Sequence, residues 1–268
     1  HVTSTVPTNE IPVLREERPD LINIDDYLGT YFYRMNVTRE PLGDPRVRRA
    51  LALAIDRRAI VERVALGEQE PAHAYVPPGF SGYRSPQPLR HDPEKARELL
   101  AEAGYPDGEG FPELYVLFNT SEGHRKIAES IVAMWNEALG ISMQLENKEW
   151  KVYLDAQSHL DYDISRSGWI GDYMDPVTFL EMFTTGNGNN DTGWSNERYD
   201  ELIAKAFRSR NQDEHFRHLR EAEELLLKEL PVVPLYWYTR IYLKDPRLQN
   251  WNPKRLDNRP YKYLYFAD

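Results

Sequence analysis

At Asp44-Pro45, Asp92-Pro93 and Asp175-Pro176 the chain sets an aspartate directly before a proline, and each pair opens a stretch that reads as a helix. An aspartate side chain can accept from the free N–H groups of a helix start, and proline suits the first turn. After the first pair, Val47, Ala50, Leu51, Ala54 and Ile55 recur at helical spacing. Asp56 caps a second, short helix ended by Gly67. Further helices are expected at 92–104, 124–139, 149–158, 175–183, 196–209 and 212–228. Between them lie strand candidates at 31–36, 114–118, 141–145, 162–167 and 232–238. This alternation dictates an α/β layer structure, a mixed sheet flanked by helices, and shows no internal repeat. Residues 1–19 are polar, carry three prolines and have no helical period, so they read as extended.

The chain has 268 residues, 41% of them hydrophobic, which suffices for a core. No run approaches the roughly 20 apolar residues of a membrane span. The formal net charge of −10 and the lack of a basic face argue against nucleic-acid partners. Cysteine is absent, which removes disulfides, thiolate metal sites and cysteine nucleophiles together.

Catalytic signatures are missing: there is no GxSxG elbow, HExxH or GxxxxGK[ST] loop. The pair Gly186-x-Gly188 reads as a flexible loop. His215 and His218, at i and i+3, have metal-ligand spacing but sit among Glu and Arg, so a solvated face is expected. Asp172 and Asp175 are the best candidate carboxylate pair for glycoside chemistry, although capping accounts for Asp175.

One stretch asks for more than packing: residues 163–176, Asp-Ile-Ser-Arg-Ser-Gly-Trp-Ile-Gly-Asp-Tyr-Met-Asp-Pro. It runs from a strand into a loop before a helix, where ligands of α/β sheets sit. Its strand edge is suited to pair with an extended peptide. Gly168 and Gly171 admit close backbone approach, Asp172 can hold an ammonium, and Arg166 a carboxylate. An ordinary buried tryptophan with a surface ion pair is the alternative.

The stretch resembles the core motif of oligopeptide- and dipeptide-binding proteins of ABC importers, extracellular solute-binding family 5. Leu28-Gly29-Thr30-Tyr31-Phe32-Tyr33, Asp44-Pro45-Arg46-Val47-Arg48-Arg49-Ala50-Leu51, Ala54-Ile55-Asp56-Arg57, Ala103-Gly104-Tyr105-Pro106, Asn189-Asn190 and Val233-Pro234-Leu235-Tyr236 fall in the family's order. The resemblance implies a periplasmic binding protein-like lobe at 31–230. Residues 1–30 would be an extended segment from an amino-side lobe and hinge, and 231–268 a return segment completing that lobe. The chain would thus be a truncated carboxy-terminal portion.

The resemblance also implies roles. Asp172 is similar to the aspartate that binds a peptide's ammonium, and Gly168 and Ile170 to positions whose backbone pairs with the peptide. Trp169 and Trp150 match tryptophans lining side-chain pockets. Asn119 and His124 match residues near the ligand, and His124 and Arg166 match groups that meet the peptide carboxylate. Tyr238 matches a tyrosine facing the cleft, although Trp150 and Tyr238 also suit simple core packing. Two positions depart from the pattern: Ala65 stands where some members carry a lysine, and Arg34 at an acidic pocket position.

The expected protein captures short peptides by hinge closure and delivers them to a membrane permease. It acts as a monomer, in the periplasm or tethered to the outer face of the cytoplasmic membrane, with no cofactor, metal, nucleic acid or catalysis. A same-fold binder of an oligosaccharide or metal chelate, and a carboxylate-dependent glycosidase, are the alternatives.

Overall fold

The computed structural model describes residues 1–3 and 5–267. Ser4 and Asp268, which belong to the two flanking segments, lie outside the described residues. In chain order the elements are α1 (Ile11–Glu17), β1 (Ile22–Met35), α2 (Pro45–Leu53), α3 (Arg57–Ile60), β2 (Glu70–Pro71), α4 (Pro93–Glu102) and β3 (Leu114–Asn119). Then come α5 (Glu122–Leu139), β4 (Met143–Lys148), α6 (Trp150–Ser158), β5 (Ile164–Ile170), α7 (Val177–Leu180), α8 (Glu197–Arg208), α9 (Gln212–Glu229) and β6 (Val232–Leu243).

The helix starts follow the capping logic of the sequence. The side chains of Asp44, Asp56 and Asp92 accept from Arg46 N, Ala59 N and Lys95 N, and Asp175 Oδ1 accepts from Val177 N at 2.9 Å. Three expectations need correction. Residues 1–19 are not all extended, because α1 forms behind Pro12 in its first turn. The helix after Asp56 passes into a wider π-turn at Val61–Ala65 and ends at Leu66, itself left-handed at φ 58°, rather than at Gly67. Ala65 is buried at the end of that turn. The strand expected at 141–145 is displaced to β4, because Gly140 and Ile141 are used to leave α5.

Among the described residues the main sheet runs β2-β6-β1-β5-β3-β4. β1 pairs antiparallel with both β6 and β5, whereas β3 pairs parallel with β5 and β4. β1 is therefore central, and its Tyr31, Phe32, Tyr33 and Met35 are fully buried. Its pairing with β6 is irregular at two places: Leu235 is skipped between Tyr31, which faces Tyr236, and Phe32, which faces Pro234; and Asp26 faces Thr239 while Thr30 faces Trp237, so Tyr238 alone stands opposite Tyr27, Leu28 and Gly29. Such a bulge bends the strand and turns the opposing side chain.

Buried ionic groups pin the sheet to its helices through backbone groups. Arg57 donates to the carbonyls of Pro234 (2.8 Å) and Ala52 (3.0 Å), joining β6 to α2. Burial presses its guanidinium down to about 10, which leaves it charged at neutral pH. Glu223 of α9, fully buried, accepts from Tyr75 N (3.0 Å), Val76 N (2.8 Å) and the Tyr83 hydroxyl (2.7 Å). It thereby holds the connection from β2 to α4 against the core.

Burial lifts the Glu223 carboxyl to about 7, against the pull of its hydrogen bonds. A folded-state value above that of the unfolded chain means stability that is full below about pH 4.5 and lost as pH rises through about 7. Relative to Glu223→Gln, the natural chain should lose about 3 kcal/mol of unfolding free energy across that window. Urea titrations of both proteins from pH 4.5 to 7.5 check this.

Candidate functional site

The site starts from the hydrogen-bond phase of the β1–β5 ladder. Gly171 N donates to Leu28 O (2.8 Å) at one end, and Asn36 N to Asp163 O (2.9 Å) at the other. In an antiparallel pair, bonded and non-bonded partners alternate. Trp169, Ser167 and Ser165 therefore bond to β1, while Arg166, Gly168 and Ile170 turn their N–H and C=O groups the opposite way. On that opposite side β3 pairs only with Ile164 and Ser165. The Arg166 carbonyl is taken by the Tyr153 hydroxyl and by Gln157 Nε2. The backbone groups of Gly168 and Ile170 are thus left at an open edge. β5 lies inside the sheet, so the expected strand edge is corrected to this short opening where β3 and β5 part.

Alternation along β5 sorts the side chains. Arg166 and Gly168 share a face with their β1 neighbours Tyr33 and Tyr31. Arg166 reaches Asn119 Oδ1 at 3.2 Å, at the end of β3, and the Tyr238 hydroxyl at 3.0 Å. Its guanidinium lies 4.8 Å from the Tyr31 ring centre. Among the described residues no carboxylate pairs with it, and its buried Nε has no hydrogen-bond partner. The site therefore holds a permanent cation balanced by tyrosine rings and neutral acceptors rather than by an anion.

His124, in the first turn of α5, touches the Tyr31 hydroxyl through Nδ1 at 3.2 Å. Burial first, and then the Arg166 charge, press its imidazole down to about 3, so it is neutral at pH 7. Tyr31 also stacks on Tyr236 at 4.6 Å. Tyr238 crosses directly over Gly168, where an added Cβ would lie 2.5 Å from its hydroxyl oxygen. Glycine is needed there for close approach, not for a special φ.

Trp169 points to the other face, where its Nε1 donates to Thr178 O at 2.7 Å. Thr178 also accepts the Asp172 amide at 3.1 Å through Oγ1. The Asp172 carboxylate is exposed and takes no hydrogen bond or ion pair among the described residues. Trp150 is 50% exposed and stacks on Tyr153 at 5.5 Å, so core packing is not its role. Tyr238 is half-buried.

The structure thus brings Arg166, Asn119, His124, Tyr238 and Gly168 into one contact network. Trp169 and Ile170 continue along β5, Asp172 follows in the loop beyond it, and Trp150 joins through Tyr153. Sequence reasoning missed Tyr31, Tyr153 and Thr178. Tyr31 carried a signal, its place in an aromatic-rich strand candidate, but Thr178 had none.

Of the remaining readings, one is corrected, the solvated face at His215 and His218. Arg34, the departure from the family's acidic pocket position, does not share a face with Arg166. It lies on the opposite face of β1, nearly buried, and pairs with Asp191 and Asn189 O. The His215–His218 face is not solvated, since both side chains are mostly covered and His215 contacts Asp175 and Ala206 O. Asp175 is engaged as the expected cap and with His215, so it does not pair with Asp172.

Gly168→Ala should cost about 1–3 kcal/mol by overpacking, and less on a Tyr238→Ala background. A double-mutant cycle of unfolding free energies measures the difference.

The family model of bacterial extracellular solute-binding proteins, family 5 (middle), matches residues 1–191. The oligopeptide-binding protein OppA of Bacillus subtilis is 35% identical over 252 residues, covering 91% of this chain and 46% of that protein. The solved murein tripeptide-binding protein MppA of Escherichia coli superposes with a TM-score of 0.93 at 32% identity, covering 100% of this chain and 54% of its own. OppA of Haemophilus influenzae, solved in complex with the peptide RPPGFSPFR, gives 0.90 at 29% identity, with 100% and 54% covered. The chain spans about half the length of the curated relatives it matches.

Proposed function

The chain belongs to the bacterial extracellular solute-binding proteins of family 5, and we propose that it forms one wall of a cleft that captures short peptides for an ABC importer. The observation that carries this reading is the open backbone edge at Gly168 and Ile170, flanked by a cation at Arg166 and a carboxylate at Asp172. A peptide offers those complements: N–H and C=O groups along its length, a carboxylate at one end and an ammonium at the other. With its amino terminus at Asp172 and its carboxylate toward Arg166, the peptide runs antiparallel to β5. From Arg166 to Ile170 the edge spans roughly 13 Å, the length of about four extended residues.

Each group has a part in this reading. Gly168 and Ile170 supply main-chain bonds that are indifferent to side-chain identity. Trp169 and Trp150 line side-chain pockets. Asn119 and Tyr238 hold Arg166 in place, and neutral His124 offers a hydrogen bond near the carboxylate. Capture proceeds without turnover of the solute. Residues 31–230 act as the lobe, and 1–30 and 231–268 as crossing segments. The irregular pairing of Tyr27–Leu28–Gly29 with Tyr238 serves as the hinge about which the cleft closes. The closed form is read by a membrane permease outside the cytoplasm. No helix among the described residues is long and apolar enough to cross a membrane.

Unfolding the purified natural protein and identifying what it releases by mass spectrometry tests the reading. A mixture of short peptides is the expected result, and a single sugar or metal chelate overturns it. In calorimetry, Asp172→Asn should weaken binding of trialanine at least ten-fold, about 1.4 kcal/mol. It should leave N-acetyl-trialanine, which has no ammonium, at its already weak affinity.

A further inference from the structure

His215 of α9 meets two acceptors at once. Its Nδ1 lies 2.8 Å from the Ala206 carbonyl oxygen of α8, and its Nε2 lies 3.0 and 3.1 Å from the two carboxylate oxygens of Asp175. A carbonyl and an ionised carboxylate can only accept. Both ring nitrogens must therefore carry hydrogen, and the ring that satisfies this geometry is an imidazolium.

Asp175 closes the loop that carries Asp172. At the start of that loop, Gly171 N is bonded to Leu28 O and Asp172 N to Thr178 Oγ1. At its end, Asp175 Oδ1 caps Val177. The Asp172 carboxylate has no partner of its own among the described residues, so its direction is set by these anchors and by the Tyr173 hydroxyl, which donates to Glu181 Oε1 at 2.9 Å. Of these anchors, only Asp175 reaches the α8–α9 hairpin. We propose that protonated His215 is a positioning residue, a clamp on Asp175 that fixes the loop presenting Asp172 and loosens when the ring loses its proton. Its importance for capture rests on the reading of Asp172 as the ammonium site, but the clamp itself does not.

The groups around the ring support this. The loop contributes the charge of Asp175, and α8 contributes the Ala206 carbonyl. On the ring's own helix, Glu214 and His218 face each other at 3.9 Å. From the connection between β2 and α4, Tyr83 packs on the adjacent Phe216 at 5.5 Å. Burial, the largest influence, lowers the ring's pKa, but the Ala206 carbonyl and Asp175 together outweigh it and the net direction is up. With the folded value raised, the clamp is complete below the ordinary histidine range and is lost as pH rises through the raised value.

The test needs no ligand, so it stands or falls separately from peptide capture. Nitrogen-resolved NMR of the 268-residue chain should show His215 with both ring nitrogens protonated at pH 6.5 and a titration midpoint above 6.5. Asp175→Asn should bring that midpoint down. Amide exchange at residues 171–175 and 177, corrected for intrinsic rates, should quicken several-fold as pH rises through the midpoint. In His215→Gln it should already be fast and show no such step. A singly protonated ring at pH 6.5, or the same exchange step in His215→Gln, overturns the proposal; if that variant does not fold, the ring titration of the natural chain decides alone.

Discussion

The alternation of hydrogen bonds between β1 and β5 decides what this molecule can present. Because Gly171 and Asp163 are bonded to β1, every second residue between them is bonded too, and Gly168 and Ile170 are left facing away. A shift of one residue would turn those groups into the ladder and move each side chain to the other face. Arg166 would leave the Tyr31 and Tyr33 side of the sheet, and Gly168 would no longer lie beneath Tyr238. The early parting of β3 from β5 then converts the phase into an opening.

Around that opening the charges are separated rather than neutralised. Arg166 is surrounded by Tyr31, Tyr238 and Asn119, with His124 held neutral by burial and by the same cation. Asp172 stands at the other end with no cation at hydrogen-bond distance among the described residues. Ion pairs are plentiful elsewhere on the surface, for example Arg125–Glu129 and Lys126–Glu122. Two opposite charges kept apart along one strand direction amount to a dipole awaiting its complement. The buried groups that do not face the opening, Arg57 and Glu223, instead bond to the backbone they pin.

Much of the fold was legible in local chemistry. The aspartates at 44, 56 and 92 cap helices because capping needs only a side-chain oxygen and the next few amides. The alternation of helix and strand predicted the layers. Where the reading went astray, a partner distant in sequence was responsible. Residues 11–17 carry too short a period to announce a helix. His215 and His218 looked solvated beside Glu and Arg because Asp175, forty residues away, cannot be seen from their own helix. The partner of Arg34, Asp191, was likewise invisible from its own strand.

By itself the sequence determined the capped helix starts, the α/β class and the stretch from Asp163 to Pro176 in which the candidate site lies, since caps, periodicity and motif all act within a few residues. Only the tertiary structure decided that β5 sits between β1 and β3, that its pairing with β3 stops at Ser165, and that Tyr31, Tyr238 and Asn119 converge on Arg166. Register and strand order depend on contacts between segments far apart in the chain. No local pattern of residues specifies which of the two sides of a strand remains unpaired.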